Sequence, residues 1–294
     1  MRHNCEIINK TMDRDDLESD SAKKIIVELN ELILRLREEN VKISSWYGDF
    51  DLTGEKNSLE VINRGLNYIA LSSAVDDVNF PWFLYWEIIW LVLNNDYQAG
   101  QTVLDLGGAS SLFSYYLSHK GLRVTTVDLQ ESLVENANIT ASKMNWHLRN
   151  FVMDMREFVI NEQFDHITSV CVFEHIPMYD RIEINRKIKK MLKTEGSFSI
   201  TFDYRNPSKA VRINSPEDVE QQFIIPSGLT PRGNVPFYDN GKNYLLHPFY
   251  AGCISEYKKQ AVAIGLFDAS ELSKMKTEND YTFGALFLTK LAEK

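Results

Sequence analysis

The stretch "TVLDLGGASSLFSYYLSHKGLRVTTVDL", Thr102–Leu129, contains the pattern that decides the fold. Two short apolar runs each reach an acidic residue, Asp105 in the first and Asp128 in the second. A turn of small residues, Gly107–Ser111, separates the first run from a helix-like segment. This order makes a βαβ unit whose turn lets a ligand approach the backbone at a helix N-terminus. The stretch therefore predicts a nucleotide site.

The chain downstream repeats this alternation of strands and helices. "FVMD", "HITSVCVF" and "GSFSITFDY" have the β-branched texture of strands, and "DRIEINRKIKKML" has that of an amphipathic helix. Such alternation predicts a parallel sheet with helices on both faces. Two strand-like runs around "TEND" predict a C-terminal antiparallel hairpin. We expect an α/β fold with a mostly parallel sheet.

Composition divides the chain into regions. Residues 1–20 are acidic and offer little to bury, so we expect a flexible tail. Residues 21–98 are expected to form an N-terminal helical extension, and residues 99–204 with 251–294 the core. Residues 205–250 break the rhythm with Pro, Gly, Asn and aromatic residues. A loop of this length inside a compact domain predicts an insertion that acts as a substrate lid.

An apolar stripe follows the predicted tail. Its residues, at steps of four, three and four, are Ile25, Leu29, Leu32 and Leu36. This spacing predicts a helix with one apolar face. We favour packing of that face on the chain's own domain, and the alternative is a homodimer in which the stripe pairs two copies.

Two nucleotide cofactors compete for the predicted site. A nicotinamide fingerprint reads GxGxxG, and here the frame from Gly107 gives Ala109 and then Leu112, so the third glycine is absent. A pyrophosphate gains nothing from a carboxylate such as Asp105 just ahead of the turn. S-adenosylmethionine carries an ammonium and a sulfonium and has no phosphate, so acids at both strand ends suit it. Asp128 is placed to accept hydrogen bonds from a ribose diol.

At these residues the sequence resembles class I S-adenosylmethionine-dependent methyltransferases. The first family motif, an acid followed by a glycine-rich turn, matches "DLGGASS", although Ala109 and Ser111 stand where glycines are usual. The later motifs match Asp128 in "TTVDL", Asp154 in "NFVMDM" and the segment "FDHITSVCVFEHIP". The resemblance covers about residues 101–291 apart from the insertion, and it implies a Rossmann-like sheet of seven strands.

The resemblance also implies which residues bind the cofactor. They are Asp105, Gly107, Gly108, Ala109, Asp128, Leu129, Asp154, Met155 and Glu174. The turn and Asp105 would face the methionine part of S-adenosylmethionine, and Asp128 would take the ribose hydroxyls. Leu129 would pack on the adenine, whose amino group would donate to Asp154.

Methyl transfer to a hydroxyl benefits from a general base. Glu174 and His175 follow the fourth strand, at the edge where parallel sheets hold their ligands. His175 is the first candidate base, with ordering of the cofactor loop as its alternative role, and His247 in the insertion is the second candidate. Glu174 is expected to hold the cofactor. We expect no metal, because the adjacent Asp-Asn pair of the metal-dependent catechol-type enzymes is missing after Asp203.

Charge and apolar patterning exclude several classes of partner. The net charge is −9 and no basic stripe appears, which argues against binding of nucleic acid. The most apolar run, "FPWFLYWEIIWLVLN", is interrupted by Glu87 and falls short of the roughly 20 residues that a membrane span needs. The three cysteines lie far apart, which fits a reducing, cytoplasmic location.

The sequence thus predicts an S-adenosylmethionine-dependent methyltransferase that acts on a small molecule. O-methylation of a sugar, a phenolic compound or another metabolite is favoured. The alternative is a catalytically silent protein that binds S-adenosylmethionine in a regulatory or assembly role.

Overall fold

A computed structural model of the chain describes residues 7–44, 82–158, 161–207, 212–244 and 281–292. The helices are α1 (Asp20–Glu38), α2 (Trp82–Leu93), α3 (Leu112–His119), α4 (Glu131–Met144), α5 (Met178–Met191), α6 (Pro216–Val219) and α7 (Ile225–Ser227), the last two joined by a π-helical turn, Glu220–Ile224. The strands are β1 (Lys10–Thr11), β2 (Thr102–Leu106), β3 (Arg123–Asp128), β4 (Leu148–Val152), β5 (Phe164–Val170), β6 (Leu192–Tyr204), β7 (Thr230–Pro231) and β8 (Thr282–Thr289).

One mixed sheet contains all of these strands. Its order is β1-β8-β6-β5-β2-β3-β4, and β7 also pairs with β8. Strands β2 to β6 are parallel, and β8 runs antiparallel beside β6. The predicted α/β fold is therefore confirmed. The expected count of seven strands is corrected to eight, because the two-residue strands β1 and β7 both pair with β8. The first strand of the predicted hairpin lies outside the described residues.

Helices cover the two faces of the sheet, as the near-continuous apolar strands require. On one face α1, α2 and α3 share a core that includes Leu29, Trp86 and Phe113. On the other face α5 and the 216–227 helical segment share a core that includes Ile184 and Phe223. The carboxyl ends of the parallel strands lie between these layers, where a ligand can reach them.

Residues 7–19 do not form the flexible tail predicted for residues 1–20. Lys10 and Thr11 pair with β8, and the side chains of Met12 and Leu17 are buried. The acidic composition of this segment predicted exposure to solvent. Asp16 instead accepts a hydrogen bond from the Trp86 indole at 2.8 Å. The reason is the free edge of β8, whose backbone groups need partners. Residues 1–6 lie outside the described residues.

The described part of the insertion packs against α5 and the N-terminal segment. Gln222 accepts from the buried Arg181 guanidinium through its side chain and from the Asn185 side chain at 3.0 Å through its carbonyl. At the other end, the Tyr238 amide donates to the Asn9 carbonyl at 2.9 Å. These contacts join the insertion to both the α5 layer and the β8 edge.

Helix α2 supplies the most apolar segment of the described chain. It is 12 residues long, and all of its side chains except Glu87 are apolar. Glu87 is nevertheless fully buried, at 0% exposure. Within the described ranges, no helix combines the length and the apolar character that crossing a membrane requires.

The buried stripe of α1 gives a first testable prediction. Leu29 is 0% exposed in the core that α1 shares with α2 and α3, so Leu29→Ala leaves a cavity. We expect it to lower the free energy of unfolding by about 2–5 kcal/mol in chemical denaturation. Val27→Ala on the exposed face of the same helix is the control and should change little. A lower mass by light scattering with an unchanged unfolding transition would show instead that the stripe pairs two copies.

Candidate functional site

A cavity of about 680 Å³ opens at the carboxyl ends of the parallel strands. Residues that follow five neighbouring strands line it: Asp105, Gly107, Gly108 and Ala109 at β2, Asp128 and Leu129 at β3, Met153 and Met155 after β4, Cys171, Val172 and His175 after β5, and Asp203 and Asn206 at β6. Its size is that of a pocket for a small organic ligand. The structure thus brings most of the predicted site residues to one cavity.

The turn after β2 requires glycine at two positions. Gly107 has φ of +80°, and a Cβ there would lie 2.7 Å from a methyl group of Val172. A Cβ on Gly108 would lie 1.9 Å from Oδ2 of Asp105, closer than any side-chain atom can sit. The backbone of the turn therefore passes directly over the Asp105 carboxylate. No comparable contact requires glycine at Ala109 or Ser111, so the departures from the glycine-rich pattern fall where a side chain fits.

Asp105 is held beneath this turn. Its side chain is buried and accepts hydrogen bonds from the hydroxyls of Ser114 at 2.6 Å and Thr168 at 3.1 Å. Burial raises the pKa of Asp105 to about 6, and the two hydroxyl donors oppose that rise. With a pKa of about 6, Asp105 titrates close to neutral pH. A cation bound beside it would stabilise the ionised form.

Asp128 lies at the end of β3, on the neighbouring part of the cavity wall. Its carboxylate accepts from the Gln130 amide at 3.0 Å. Burial raises the pKa of Asp128, while backbone amides of Gln130, Ala109 and Leu129 favour the charged form. Beside it, Leu129 keeps 65% of its surface exposed and lines the cavity, so it offers an apolar face to a ring. This placement suits the predicted ribose and adenine contacts.

Asp154 is not among the residues that line the cavity, although Met153 and Met155 on either side of it are. Its carboxylate accepts from the side chain of Arg156 at 2.8 Å, and this ion pair lowers the pKa of Asp154. The structure thus separates Asp154 from the other two predicted acids. Its contact with an adenine amino group stays a prediction.

At the far wall of the cavity lies a group of side chains that we call the acidic cluster, namely Cys171 and Asp203, which line the cavity, and Glu174 behind them. The Cys171 thiol donates to Oε1 of Glu174 at 2.7 Å and lies 3.6 Å from Oδ1 of Asp203. Asn206 donates to the other oxygen of Asp203 at 2.6 Å. Cys171 has φ of +55°, a left-handed conformation that costs a non-glycine residue energy and is concentrated at functional sites.

Glu87 approaches the acidic cluster from helix α2. Among the described residues, no donor meets hydrogen-bond geometry at either oxygen of its fully buried carboxyl group, although the Thr201 hydroxyl and the Cys171 thiol lie close enough to oppose the rise of its pKa. Burial raises the pKa of Glu87 well above its ordinary value, and the charges of Glu174 and Asp203 raise it further. Sequence reasoning missed Glu87 as a site residue, although a single acid in an otherwise apolar helix was a usable signal.

Two basic side chains lie near the acidic cluster. His175 lines the cavity with 62% of its side chain exposed, and its Nε2 atom is 3.9 Å from Oε1 of Glu174. Arg181 interacts electrostatically with Glu174, but its guanidinium donates to the carbonyls of Phe173 at 2.9 Å and Ile176 at 3.1 Å. Of the two predicted base candidates, the structure thus places His175 at the cavity, and His247 lies outside the described residues.

The predicted substrate lid is corrected for the part of the insertion that the structure describes. No residue of 212–244 lines the cavity, because this segment packs on α5 and on the N-terminal segment instead. The Glu174 side chain is not among the residues that line the cavity and accepts a hydrogen bond from the Cys171 thiol. Its contact with the cofactor stays a prediction.

Comparison with known sequences identifies one domain. Residues 103–196 match the family model described as a methyltransferase domain. The chain is similar to the ubiquinone biosynthesis O-methyltransferase of Pseudomonas fluorescens, with 29% identity over 111 residues that cover 37% of this chain and 47% of the relative. The protein of the same name from Xanthomonas oryzae pv. oryzae is 28% identical over 144 residues, which cover 48% and 56% of the two chains. The chain spans about half the length of the curated relatives it matches.

Solved structures share the fold at low identity. Coclaurine N-methyltransferase, bound to N-methylheliamine and SAH, aligns with a TM-score of 0.52 and 17% identity, covering 95% of each chain. The cyclase SpnF aligns with a TM-score of 0.51 and 14% identity over 70% of this chain and 80% of its own. At such identities the likeness establishes the architecture alone, and it agrees with the Rossmann-like fold that the sequence predicts.

The contact between Gly108 and Asp105 gives a prediction that a double-mutant cycle can test. Gly108→Ala places a methyl group against the carboxylate, so we expect it to lower the free energy of unfolding by about 1–3 kcal/mol. Asp105→Ala removes the carboxylate oxygen that the new methyl group would overlap. It also leaves the hydroxyls of Ser114 and Thr168 without their acceptor. The double variant should lose less stability than the sum of the two single losses in chemical denaturation. Strictly additive losses would contradict the contact.

Proposed function

We propose that the chain is a class I, S-adenosylmethionine-dependent methyltransferase that acts on a small molecule, since residues 103–196 match the methyltransferase-domain family model. The observation that carries the proposal is the meeting of three features at one cavity. These are the close-packed glycine turn, the buried Asp105 beneath it and Asp128 on the adjoining strand. Their donors and charges suit a cationic amino acid joined to a nucleoside.

The cofactor of this domain is S-adenosylmethionine, and the residues present fit it. Gly107–Ala109 and Asp105 would hold the methionine part, Asp128 the ribose hydroxyls, and Leu129 with Met155 the adenine ring. When bound, S-adenosylmethionine supplies an activated methyl group on a sulfonium. The chain's own residues hold reactants in line and keep water out, which is the main requirement of such a displacement.

A nicotinamide dinucleotide suits the same cavity poorly. Leu112 stands at the position of the third glycine and is buried at the start of α3, so that position is filled by core packing. The Asp105 carboxylate lies beneath the turn where a pyrophosphate would bind, and like charges at short range disfavour binding. This acid favours a ligand that carries positive charge at the turn.

His175 is the group in the described chain that we propose takes a proton during transfer. It lines the cavity, is largely exposed, and follows β5 at the edge where the acidic cluster lies. An imidazole is the side chain best suited to accept a proton near neutral pH. Glu174 is close enough to stabilise the imidazolium that results.

The acceptor is proposed to be a small molecule, and the cytoplasmic location predicted from the sequence is retained in this proposal. The names of the similar sequences support the predicted O-methylation, but those proteins match less than half of this chain. A silent protein that binds S-adenosylmethionine is the second candidate. It stays a candidate because the fold alone does not fix the reaction: SpnF shares this architecture and is named a cyclase.

Cofactor selectivity is the direct test of the proposal. We expect S-adenosylhomocysteine to bind in calorimetry and NAD⁺ not to bind. Asp128→Ala should weaken the binding of S-adenosylhomocysteine by about 1–3 kcal/mol, because a ribose diol loses a charged acceptor. Asp96→Ala, which removes an exposed acid that does not line the cavity, is the matched control. Binding of NAD⁺ in place of S-adenosylhomocysteine would reject the assignment.

The role of His175 separates catalysis from cofactor binding. If His175 is the base, His175→Ala should lower kcat by roughly 10²–10⁴-fold at saturating cofactor, with the affinity for S-adenosylhomocysteine unchanged. His147→Ala is the control, because His147 is exposed at the start of β4, at the opposite end of the sheet. A parallel loss of rate and affinity would place His175 in the cofactor site instead.

A further inference from the structure

We infer that residues 41–44, the segment that follows α1, form part of the cofactor site, and that Asn136 on α4 holds them there. We call this segment the strap. Asn136 does not line the cavity, so it is a positioning residue that acts on the cofactor through the turn after β2. The inference rests on the proposed function, and it gives part of the N-terminal extension a role in binding the cofactor.

The strap lies against the turn after β2. Val41 and Ile43 are buried in the core that α1 shares with α2 and α3. The Ser44 amide donates to the Ser110 carbonyl at 2.8 Å, and Ser44 forms a single β-bridge with Ser111. Ser44 and Ser111 both line the cavity. The strap thus contributes a part of the cavity wall next to the glycine turn.

Asn136 joins the strap to the turn from the side of α4. Its side-chain amide donates to the Lys42 carbonyl and to Oγ of Ser110, both at 2.9 Å. The hydroxyl of Tyr115 lies 3.1 Å from the same amide nitrogen and 3.2 Å from Oγ of Ser110. One side chain therefore connects a backbone group of the strap with a hydroxyl of the turn.

Ser110 depends on these hydrogen bonds for its conformation. Its φ is +61°, in the left-handed region that costs a serine energy and that glycine adopts freely. A glycine would lack the hydroxyl, which donates to the Leu133 carbonyl at 2.6 Å and accepts from Asn136. Because Ser110 is fully buried, these bonds are shielded from water. They hold the path of the turn between Ala109 and Ser111.

The same turn carries groups that meet the cofactor. Ala109 lines the cavity, and its backbone amide favours the charged form of Asp128, the acid proposed to hold the ribose hydroxyls. A turn that loses its contact with Asn136 is free to shift, and such a shift moves the cavity wall and the donor to Asp128 together. The affinity for the cofactor should therefore depend on a side chain that the cofactor does not reach.

The first experiment measures the affinity for S-adenosylhomocysteine by calorimetry. Asn136→Ala should weaken binding roughly 3- to 10-fold, the size expected from the loss of a hydrogen bond. Asn138→Ala is the matched control, because this second asparagine of α4 accepts from Asn150 on β4 and does not line the cavity. We expect it to leave the affinity unchanged. An Asn136→Ala variant that binds as tightly as the wild type overturns the inference, and so does an equal loss in the control.

Tyr115→Phe is a second variant, which keeps the buried ring and removes only the hydroxyl. It should also weaken the binding of S-adenosylhomocysteine. Combined with Asn136→Ala, it should weaken binding by less than the product of the two single effects, because both groups act on the Ser110 hydroxyl. Strictly multiplicative effects would contradict the inference.

Failure of the proposed function gives a different result. If the wild-type protein does not bind S-adenosylhomocysteine, the proposed function fails and the inference fails with it. If the wild type binds and the variants at Asn136 and Tyr115 bind equally well, the inference alone is overturned.

Hydrogen exchange provides a readout that a purely structural role of Asn136 would not move. If release of the strap weakens cofactor binding, linkage requires the cofactor to make that release rarer by the same factor. Saturating S-adenosylhomocysteine should therefore slow exchange of the Ser44 amide roughly 3- to 10-fold. The Lys23 amide, near the opposite end of α1, is the internal control and should keep its rate. An unchanged rate at Ser44 would show that the strap does not sense the cofactor, and it would overturn the inference.

Discussion

The approach of the Gly107–Gly108 backbone to the Asp105 carboxylate is the constraint on which the rest of the site depends. With no side chain at Gly108, the turn lies directly over a buried acid that Ser114 and Thr168 hold in place. This fixes the path of the chain between β2 and α3 and leaves the cavity open above the turn. The parallel neighbours of β2 then bring Asp128 on one side and Cys171 on the other to the same edge.

Three acids line the cavity. Asp105 and Asp128 lie near the turn, and Asp203 lies at the far wall. Burial disfavours the charged forms of Asp105 and Asp128 and raises the pKa of both carboxyl groups. A cofactor that carries a sulfonium and an ammonium group would favour those charged forms.

The sequence predicted the parts of the structure that depend on local pattern. The βαβ unit, the positions of Asp105 and Asp128 and the stripe that includes Leu29 are all encoded within short windows. Three features could not be predicted from the sequence, because they depend on contacts between residues far apart in the chain. The strand at Lys10 pairs with Ala285, and the described part of the insertion packs through Gln222 on α5 rather than over the cavity. Glu87 interacts with the acidic cluster only once α2 has docked on the sheet. The roles assigned to Asp154 and His247 stay predictions.

A crystal structure of the complex with S-adenosylhomocysteine tests the central claim most directly. The ribose hydroxyls should lie within hydrogen-bond distance of Asp128, and the sulfur should lie between the Gly107 turn and the acidic cluster. The free space beyond the sulfur should then be bounded by Cys171, Asp203 and the apolar face of α2. A ligand bound away from this cavity, or a sulfur that faces away from the cluster, would contradict both the site and the reaction proposed for it.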